Sequence, residues 1–501
     1  MRRWRVLGAR RARLGLAAGF CCVALAAVTA AVALLAAAAG PAQAAISAMP
    51  PPPGGALAPD LQAEVAQSPA SARITAIVVL RDQANLADLA SQPLSAQKKR
   101  AVVSRLRARA ASTSPEVEAV LTRRGLGGEL RLEARYWIFN GLAVSASPAA
   151  LQELAALPQV KAILPNTVVY PPVVEPASGP PQPNLTQIGA PDMWAAGYRG
   201  QGVVVASLDT GVDVTHPDLA AQWRGGSNSW YDPYGQHPIT PTDTAVSGGH
   251  GTETMGVMVG GDLSGTSIGV APAAKWIAAK IFSDTGTADS VHIHLAFQWV
   301  LAPGGNPADA PQIVNSSWDY PPSQVHCYLE YQPDLESLRA AGILPVFAAG
   351  NYGPNLSTDA SPANNLPALA VGAVNGADSI ASFSSRGPTT CGDGGVERIF
   401  PALVAPGVGI YTTSLNHGYA AVSGTSFSAP HVSGALALLL SDYAGWTATD
   451  LQTALLASVK DLGSSGPDND FGYGRLDVVA ARNWLILHAA PFHSFLPVVL
   501  R

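Results

Sequence analysis

The sequence predicts an α/β protein in which a parallel, doubly wound sheet is preceded by a small α+β domain. Beyond residue 184, short unbroken apolar runs alternate with helical stretches, which is typical of parallel strands buried on both faces. Residues 60–170 instead follow the order β-α-β-β-α-β of a ferredoxin-like domain. A proline-rich stretch at residues 171–183 separates the two patterns, and we interpret it as a linker because proline is excluded from sheet interiors.

The first 44 residues predict an export signal rather than part of the fold. Six arginines precede a continuous apolar run over residues 14–40, and Ala42-Gln43-Ala44 offers a small-residue cleavage site. The run is also long enough to span a bilayer, so a retained membrane anchor is the alternative. Residues 45–59 are rich in Pro, Ala and Gly and predict a linker. We therefore expect a secreted protein that meets a membrane only during export.

The small domain is predicted to span residues 60–170. Its first helical stretch contains Pro115, which should break the helix, and Asn140-Gly141 is a favoured pair for a hairpin turn. The expected elements are a strand over 73–80, helix over 95–124, a strand pair over 132–146, a helix over 148–157 and a strand over 160–164.

The larger domain is predicted to span residues 184–481, leaving residues 482–501 as a C-terminal tail. Runs of four to six apolar residues are short enough for strands, whereas longer stretches with helical composition are not. The expected strands are 203–208, 276–281, 313–316, 344–348 and 369–374, and the expected helices are 251–259, 290–301, 334–341 and 426–440.

Charge is unevenly distributed along the chain. Residues 60–170 carry 13 basic and 9 acidic side chains, a net charge of +4, whereas residues 171–501 carry 11 and 26, a net charge of −15. This asymmetry predicts that the two parts attract each other, although it is also compatible with ordinary solubility charge. An acidic body argues against nucleic acid as a partner.

Cysteine usage fits an exported chain. Two of the four cysteines lie in the predicted signal, and the remaining pair is Cys327 and Cys391. An even pair outside the reducing cytosol predicts one disulfide. Two buried thiols are the alternative.

Four side chains able to carry out acyl transfer fall at one predicted edge of the sheet. Asp209 and Asn351 follow strands, while His250 and Ser426 stand at helix N-termini. Ligands of doubly wound sheets bind at the carboxyl ends of the strands. A serine hydroxyl needs a base, a histidine base needs an orienting carboxylate, and an oxyanion needs preorganised donors. Each residue alone is more often a turn or cap residue, so the prediction rests on the combination.

The chain order Asp…His…Ser is that of the subtilisins. Residues 184–481 resemble the catalytic domain of the subtilisin family of serine peptidases. The matching motifs are Ser207-Leu208-Asp209-Thr210-Gly211, His250-Gly251-Thr252, Ala348-Ala349-Gly350-Asn351 and Gly424-Thr425-Ser426.

The resemblance implies a three-layer α/β sandwich with Asp209, His250 and Ser426 as the catalytic triad and Asn351 as an oxyanion donor. It also implies that polypeptide substrates lie between two backbone edges, with Ser317 to Asp319 and Ala348 to Gly350 as the two walls of the first pocket. The edges match Gly286-Thr287-Ala288 and Ser317-Trp318-Asp319, and the pocket residues are Ala348, Ala349 and Gly350. Residues 60–170 resemble the family's inhibitory propeptide, so we expect an autoprocessed zymogen.

The resemblance implies no cofactor for the chemistry. The family often binds calcium, and Asp218 matches one ligand position, but residues 263–270 are too short for the usual calcium loop. We therefore expect no intact version of that site and leave other structural calcium sites open. We expect a monomer.

Three positions depart from the family pattern. Glu253 stands one helical turn beyond His250, where it could raise the pKa of His250 or only stabilise the helix start. Phe427 replaces the usual Met after the nucleophile, which removes an oxidation-prone thioether. Asp319 replaces a usual Gly, and it either favours basic substrate side chains or only faces solvent, while Trp318 should make the pocket wall bulkier.

Two other functions are considered. The first is a non-catalytic secreted relative that uses the cleft only for binding, and the presence of all four reactive side chains argues against it. A lipase or esterase would place its serine in Gly-x-Ser-x-Gly with the histidine after it, whereas His250 precedes Ser426 and residue 428 is Ser.

Overall fold

The computed structural model describes residues 56–90, 92–112, 114–170, 175–176, 183–244, 248–324, 326–392 and 394–488. The predicted export signal, most of the 45–59 linker and residues 489–501 lie outside the described residues. Within the described part, no helix has both the length and the apolarity needed to cross a bilayer.

The N-terminal domain (residues 56–170) is a five-stranded sheet with helices. Its strands lie in the order β1-β5-β2-β4-β3, so the four predicted strands adopt the spatial order of a ferredoxin-like fold. The elements are β1 (Ala56–Leu57), α1 (Pro59–Gln67), β2 (Ile74–Leu80), α2 (Ala87–Ala90), α3 (Ala96–Ala111), α4 (Pro115–Leu126), β3 (Leu130–Tyr136), β4 (Gly141–Ala146), α5 (Pro148–Ala155) and β5 (Val160–Pro165).

Local sequence explains where these helices begin. Ser95 and Ser147 accept hydrogen bonds from the backbone N–H groups of Lys98 and Ala150, which would otherwise lack partners. Pro115 does not break a helix but begins α4. At the first position of a helix the backbone N–H has no acceptor within the helix, so the missing N–H of proline costs nothing there. The Asn-Gly turn was predicted one residue too late, since Gly141 already belongs to β4 and the turn spans residues 137–140. β1 and α1 begin inside the predicted 45–59 linker.

Short elements connect this domain to the rest of the chain. They are β6 (Val168–Val169), β7 (Glu175–Pro176), α6 (Pro183–Gln187) and α7 (Ala190–Ala195). β7 pairs antiparallel with Val422 and Ser423 at the edge of a three-stranded sheet. Pro176 therefore occupies the edge position that a residue without an N–H can tolerate.

The larger domain (residues 183–488) is built on a seven-stranded sheet in the order β15-β14-β13-β12-β8-β10-β9, in which every pair is parallel. Its strands and flanking helices are β8 (Val204–Asp209), α8 (Pro217–Ala220), β9 (Trp230–Tyr231), α9 (His250–Val259), β10 (Lys275–Lys280), β11 (Ala288–Asp289), α10 (Ser290–Leu301), β12 (Ile313–Ser316), α11 (Gln332–Ala340), β13 (Leu344–Ala348), β14 (Leu369–Val374), β15 (Leu403–Pro406), β16 (Ile410–Ser414), β17 (Gly418–Ser423), α12 (Thr425–Asp442), α13 (Ala448–Ala457) and α14 (Val478–His488).

Two apolar cores cover the two faces of this sheet, which confirms the predicted three-layer α/β architecture. On one face Val205 packs with α9 and α12; on the other, Ala206 packs with α10 and α11. β8 lies between β12 and β10, so the chain reverses its direction of growth at this strand. The carboxyl end of β8 is therefore the topological switch point at which such sheets bind ligands.

Candidate active site

The structure brings Asp209 and His250 into direct contact at this switch point. Asp209 is the last residue of β8, and its Oδ1 lies 2.8 Å from Nδ1 of His250, the first residue of α9. Both side chains are 1% exposed. The N–H of Thr210 donates to the same carboxylate oxygen at 2.7 Å. A carboxylate held in this way keeps the proton of His250 on Nδ1.

Glycines allow α9 to approach β8 this closely. A Cβ on Gly251 would lie 2.1 Å from the carbonyl oxygen of Gly211 and 3.1 Å from Cβ of Asp209. Gly211 has φ +118°, and a Cβ there would lie 1.9 Å from the carbonyl oxygen of Thr242. Both Asp-Thr-Gly and His-Gly-Thr therefore need their glycine for the carboxylate–imidazole contact to form.

The remaining nitrogen of His250 is the unusual atom of the site. Nε2 is buried and has no hydrogen-bond partner among the described residues. Burial lowers the pKa of His250, but the charge and hydrogen bond of Asp209, with smaller contributions from Glu253 and Asp243, outweigh burial and raise it overall. With the proton on Nδ1, Nε2 is a basic lone pair that can accept a proton.

Ser426 occupies the first turn of α12, one residue before a ring that packs near this imidazole. The ring of the following residue, Phe427, lies 5.8 Å from the His250 ring between centroids. The Ser426 hydroxyl donates to the carbonyl oxygen of Ser317 at 3.4 Å, a long and therefore weak bond. No hydrogen bond joins Ser426 to His250 in this structure.

A proline inside α12 sets the backbone around Ser426. Pro430 has no N–H, so it cannot donate to the carbonyl of Ser426 four residues earlier. The hydroxyl of Ser317 replaces this donor at 2.8 Å. The start of α12 is thereby tied to the strand end that carries residues 317–319.

Asn351 lies against the same helix start with a defined amide orientation. Its Oδ1 accepts hydrogen bonds from the N–H and the hydroxyl of Thr425, both at 2.9 Å. The amide oxygen is therefore occupied, and Nδ2 is the end available to a ligand. Thr425 was not singled out from the sequence, although its place in Gly424-Thr425-Ser426 was the available signal.

One predicted substrate edge is already paired with another part of the chain. Ala288 and Asp289 pair antiparallel with Val169 and Val168 of the N-terminal domain. Gly286 and Thr287 precede this pairing in a tight turn, where the N–H of Gly286 donates to Ser283 at 2.9 Å. The edge therefore has the geometry to bind an extended peptide.

The opposite edge differs from the prediction at Trp318. Its side chain is fully buried and packs against the rings of Phe347 and Tyr331, 5.7 and 5.8 Å away between centroids. The predicted bulky pocket wall is wrong, because Trp318 points into the core on the face of the sheet away from α12. The pocket residues Ala348 and Ala349 are buried, and Gly350 has φ +105°.

Asp319 does not face solvent, which excludes one of its two predicted roles. It is 7% exposed, and its Oδ1 accepts a hydrogen bond from the Tyr352 hydroxyl at 2.5 Å. Burial raises the pKa of Asp319 to about 6, and the hydrogen bond from Tyr352 opposes this rise. Tyr352 was not predicted from the sequence, because nothing local links it to residue 319.

Glu253 lies in the first turn of α9 and is 5% exposed. Burial raises its pKa to about 7; the charge of His250 opposes this rise, and the nearby Asp243 and Asp209 add to it. No side-chain hydrogen bond caps α9. Its negative charge is favourable near the helix N-terminus and also raises the pKa of His250, so the two predicted effects act together.

The cysteines and the candidate calcium ligand lie away from these side chains. A disulfide joins Cys327 and Cys391. Asp218 is 1% exposed, and its carboxylate accepts hydrogen bonds from Leu263 N, Ser264 N and the Tyr419 hydroxyl. Protein donors therefore already contact both oxygens of Asp218. Within the described residues no group of three acidic, His or Cys side chains is arranged to hold a metal ion.

Comparisons with known proteins show which family this chain resembles. A sequence profile of the subtilase family of peptidases matches residues 200–474. Bacillopeptidase F of Bacillus subtilis (strain 168) is 34% identical over 424 residues, which cover 77% of this chain but only 28% of that protein. Subtilisin E of the same strain is 30% identical over 389 residues, covering 77% of this chain and 91% of that protein. Subtilisin of Bacillus pumilus is 33% identical over 299 residues, 59% of this chain and 97% of that protein.

Proposed function

Because the chain belongs to the subtilase family of serine endopeptidases, we propose that it cleaves peptide bonds with Asp209, His250 and Ser426 as its triad. The single observation that carries this assignment is the contact of Asp209 with Nδ1 of His250, which leaves Nε2 buried and without a partner. A buried basic nitrogen without a partner is costly in a protein that has no use for it.

The proposed reaction begins when the Ser426 hydroxyl turns from the Ser317 carbonyl to Nε2 of His250. Nε2 takes the hydroxyl proton as Oγ attacks the scissile carbonyl carbon, and Asp209 stabilises the resulting imidazolium. His250 then gives the proton to the leaving amine as the C–N bond breaks, which leaves an acyl-enzyme. Water hydrolyses this ester by the same proton route. The proposed chemistry uses protein groups and water alone.

Two donors are proposed to stabilise the oxyanion. Nδ2 of Asn351 is one, because Thr425 holds the other end of the amide. The backbone N–H of Ser426 is the second, since it lies at the start of α12, where N–H groups lack helical acceptors and the helix dipole is positive. Their negative partner forms only as the carbonyl becomes tetrahedral, so both favour the transition state over the bound substrate.

We propose that residues 60–170 act as the inhibitory propeptide of this peptidase. Val168 and Val169 pair with Ala288 and Asp289, along the edge proposed to hold substrate. A strand in that position competes directly with a substrate peptide. Residues 171–183, the predicted proline-rich linker, follow this strand and precede the larger domain. We place the processing bond between residues 166 and 184.

Specific polar contacts support this role of the N-terminal domain. Oε1 of Gln298 accepts hydrogen bonds from the N–H groups of Trp137 and Ile138, at 2.6 and 3.3 Å. The Ser337 hydroxyl donates to the carbonyl of Ile138 at 2.7 Å. Lys99, which is 4% exposed, extends from the N-terminal domain and donates to the carbonyl of Ala310 at 2.6 Å.

The opposite net charges of the two parts are not matched by described ion pairs between them. The described ion pairs of the N-terminal domain are internal to it. Lys99, which contacts the larger domain, donates to backbone carbonyls rather than to carboxylates. The attraction between the basic and acidic parts stays a prediction.

We propose that the chain is exported through its N-terminal signal, acts outside the cell and is a monomer. A processed N-terminus beyond residue 44 and recovery from the culture medium would support export, whereas retention in the membrane fraction would favour the anchor.

The test of the function is covalent labelling of the full chain with a fluorophosphonate, followed by casein hydrolysis. We expect label and turnover in the natural chain and neither in Ser426→Ala. Ser428→Ala is the matched control, because it removes a buried hydroxyl two residues away that donates only to Ala405 O. Labelling that survives Ser426→Ala would overturn the assignment, and a folded but unlabelled natural chain would favour the non-catalytic binding protein. N-terminal sequencing of Ser426→Ala, expected to remain unprocessed, tests autoprocessing.

A further inference from the structure

Asp319 and Tyr352 bridge the two walls of the proposed first substrate pocket. Asp319 ends the edge formed by residues 317–319, and Tyr352 follows Asn351. The 2.5 Å hydrogen bond from the Tyr352 hydroxyl to Oδ1 of Asp319 joins these walls. The pair is therefore beside the proposed nucleophile and oxyanion donor rather than in a remote part of the fold.

The contacts of residues 317–319 show which side of the edge Asp319 occupies. Ser317 contacts the nucleophile directly, through its hydroxyl to the carbonyl of Ser426 at 2.8 Å. Trp318 points the other way, into the aromatic core. In an extended segment alternate side chains point to the same side. Asp319 is thus on the side of Ser317 and the start of α12. Its partner Tyr352 follows Asn351, which contacts the same helix start.

The carboxyl group of Asp319 has no positive partner among the described residues. It is 93% buried, and the influences on its pKa are burial, which raises it to about 6, and the hydrogen bond from Tyr352, which lowers it. No cation contributes. At pH 8 this group is consequently an anion with one oxygen engaged by Tyr352 and the other free of any hydrogen bond to the described residues. Such a buried anion is stabilised most by a cation from outside.

We propose that Asp319 makes the peptidase prefer a basic residue, arginine or lysine, immediately before the scissile bond. This inference rests on the proposed function, because it assigns the selectivity of the same cleft. A guanidinium or ammonium group donates to the free oxygen, while the Tyr352 hydroxyl continues to donate to Oδ1. The alternative role for Asp319 is to position Tyr352 as a neutral wall, in which case its charge has no effect on selectivity.

The experiment compares two peptide p-nitroanilides that differ only in ending with arginine or with citrulline. Citrulline has the shape of arginine but no charge, so the ratio of their kcat/KM values isolates the electrostatic preference. The enzyme is prepared from the full chain after its own processing. We expect the natural enzyme to favour arginine by roughly 10- to 100-fold, the range of one charge-assisted hydrogen bond.

Three variants make the outcome decisive. Asp319→Asn keeps an acceptor for Tyr352 and removes the charge, so the arginine-to-citrulline ratio should fall to about one. Tyr352→Phe keeps the charge and should retain the preference. Asp192→Asn removes a charge at an exposed position of α7 and should leave the ratio at its natural value.

The proposal is overturned if the natural enzyme shows no arginine advantage, or if Asp319→Asn keeps it. A natural ratio near one that Asp319→Asn leaves unchanged would favour the wall role. Failure of the underlying function gives a different result. In that case neither peptide is cleaved and the fluorophosphonate does not label Ser426.

Discussion

Substitutions of Asn351 can separate its proposed catalytic role from its contribution to stability. Its two ends have different proposed tasks, since Oδ1 binds Thr425 in the folded protein and Nδ2 binds the oxyanion during reaction. Replacement by aspartate keeps an acceptor for both donors of Thr425 but puts an anion where the oxyanion forms. Replacement by leucine removes both functions at similar side-chain volume.

The expected magnitudes follow from these contacts. Removing one preorganised oxyanion donor costs about 3–4 kcal/mol, a value established on a subtilisin, which corresponds to a 10²- to 10³-fold loss in kcat. Both variants should show at least this loss, with little change in KM because the interaction strengthens only in the transition state. Two hydrogen bonds of about 1 kcal/mol each hold Oδ1, so only Asn351→Leu should lose about 2 kcal/mol of unfolding free energy.

Steady-state kinetics on a soluble peptide and urea unfolding of the same preparations provide the measurements. Asn351→Asp should unfold close to the natural enzyme while being almost inactive. If Asn351→Asp instead keeps more than a tenth of the natural kcat, Asn351 is a structural residue and the proposed oxyanion hole is refuted.

Three further outcomes are expected. Glu253→Gln should shift the acid limb of the pH–rate profile to lower pH, because the negative charge of Glu253 raises the pKa of His250, and activity requires the neutral imidazole; an unmoved limb contradicts this. Phe427 should make activity tolerant of hydrogen peroxide, since no thioether adjoins the nucleophile, and Phe427→Met should restore sensitivity; rapid loss in the natural enzyme would count against it. Cys327→Ser with Cys391→Ser should lower the unfolding free energy by about 4 kcal/mol, because the disulfide closes a loop with a sequence separation of 64 residues; unchanged urea unfolding, or two alkylatable thiols in the natural protein, would exclude that stabilisation.

The sequence predicted the elements that have strong local signals. The strands Ile313–Ser316, Leu344–Ala348 and Leu369–Val374 were predicted to the residue. Each is a run of only four to six residues, which is shorter than most helices. β15, β16 and β17 were missed: β15 is a four-residue run that ends in proline, and β16 and β17 contain many polar and small residues. β15 is a strand because it pairs with β14, about thirty residues earlier, which a local pattern does not contain.

The same distinction holds for the candidate site. Asp209, His250, Ser426 and Asn351 could be identified from the sequence because each lies in a recognisable motif at an element end. The orientation of Trp318 could not, because residues 317–319 continue beyond the end of β12 and burial alone decides which face each side chain takes. Gln298 and Tyr352 were missed for a related reason, since each acts through a partner that is distant along the chain.

The proline in α12 has a mechanical consequence. By freeing the carbonyl of Ser426 for the Ser317 hydroxyl, Pro430 couples the pocket lining to the reactive turn. When a substrate side chain displaces residues 317–319, this hydrogen bond should transmit the displacement to the backbone of Ser426. Fit in the pocket and speed of bond cleavage should consequently change together, so that engineering of selectivity at this lining will seldom leave turnover untouched.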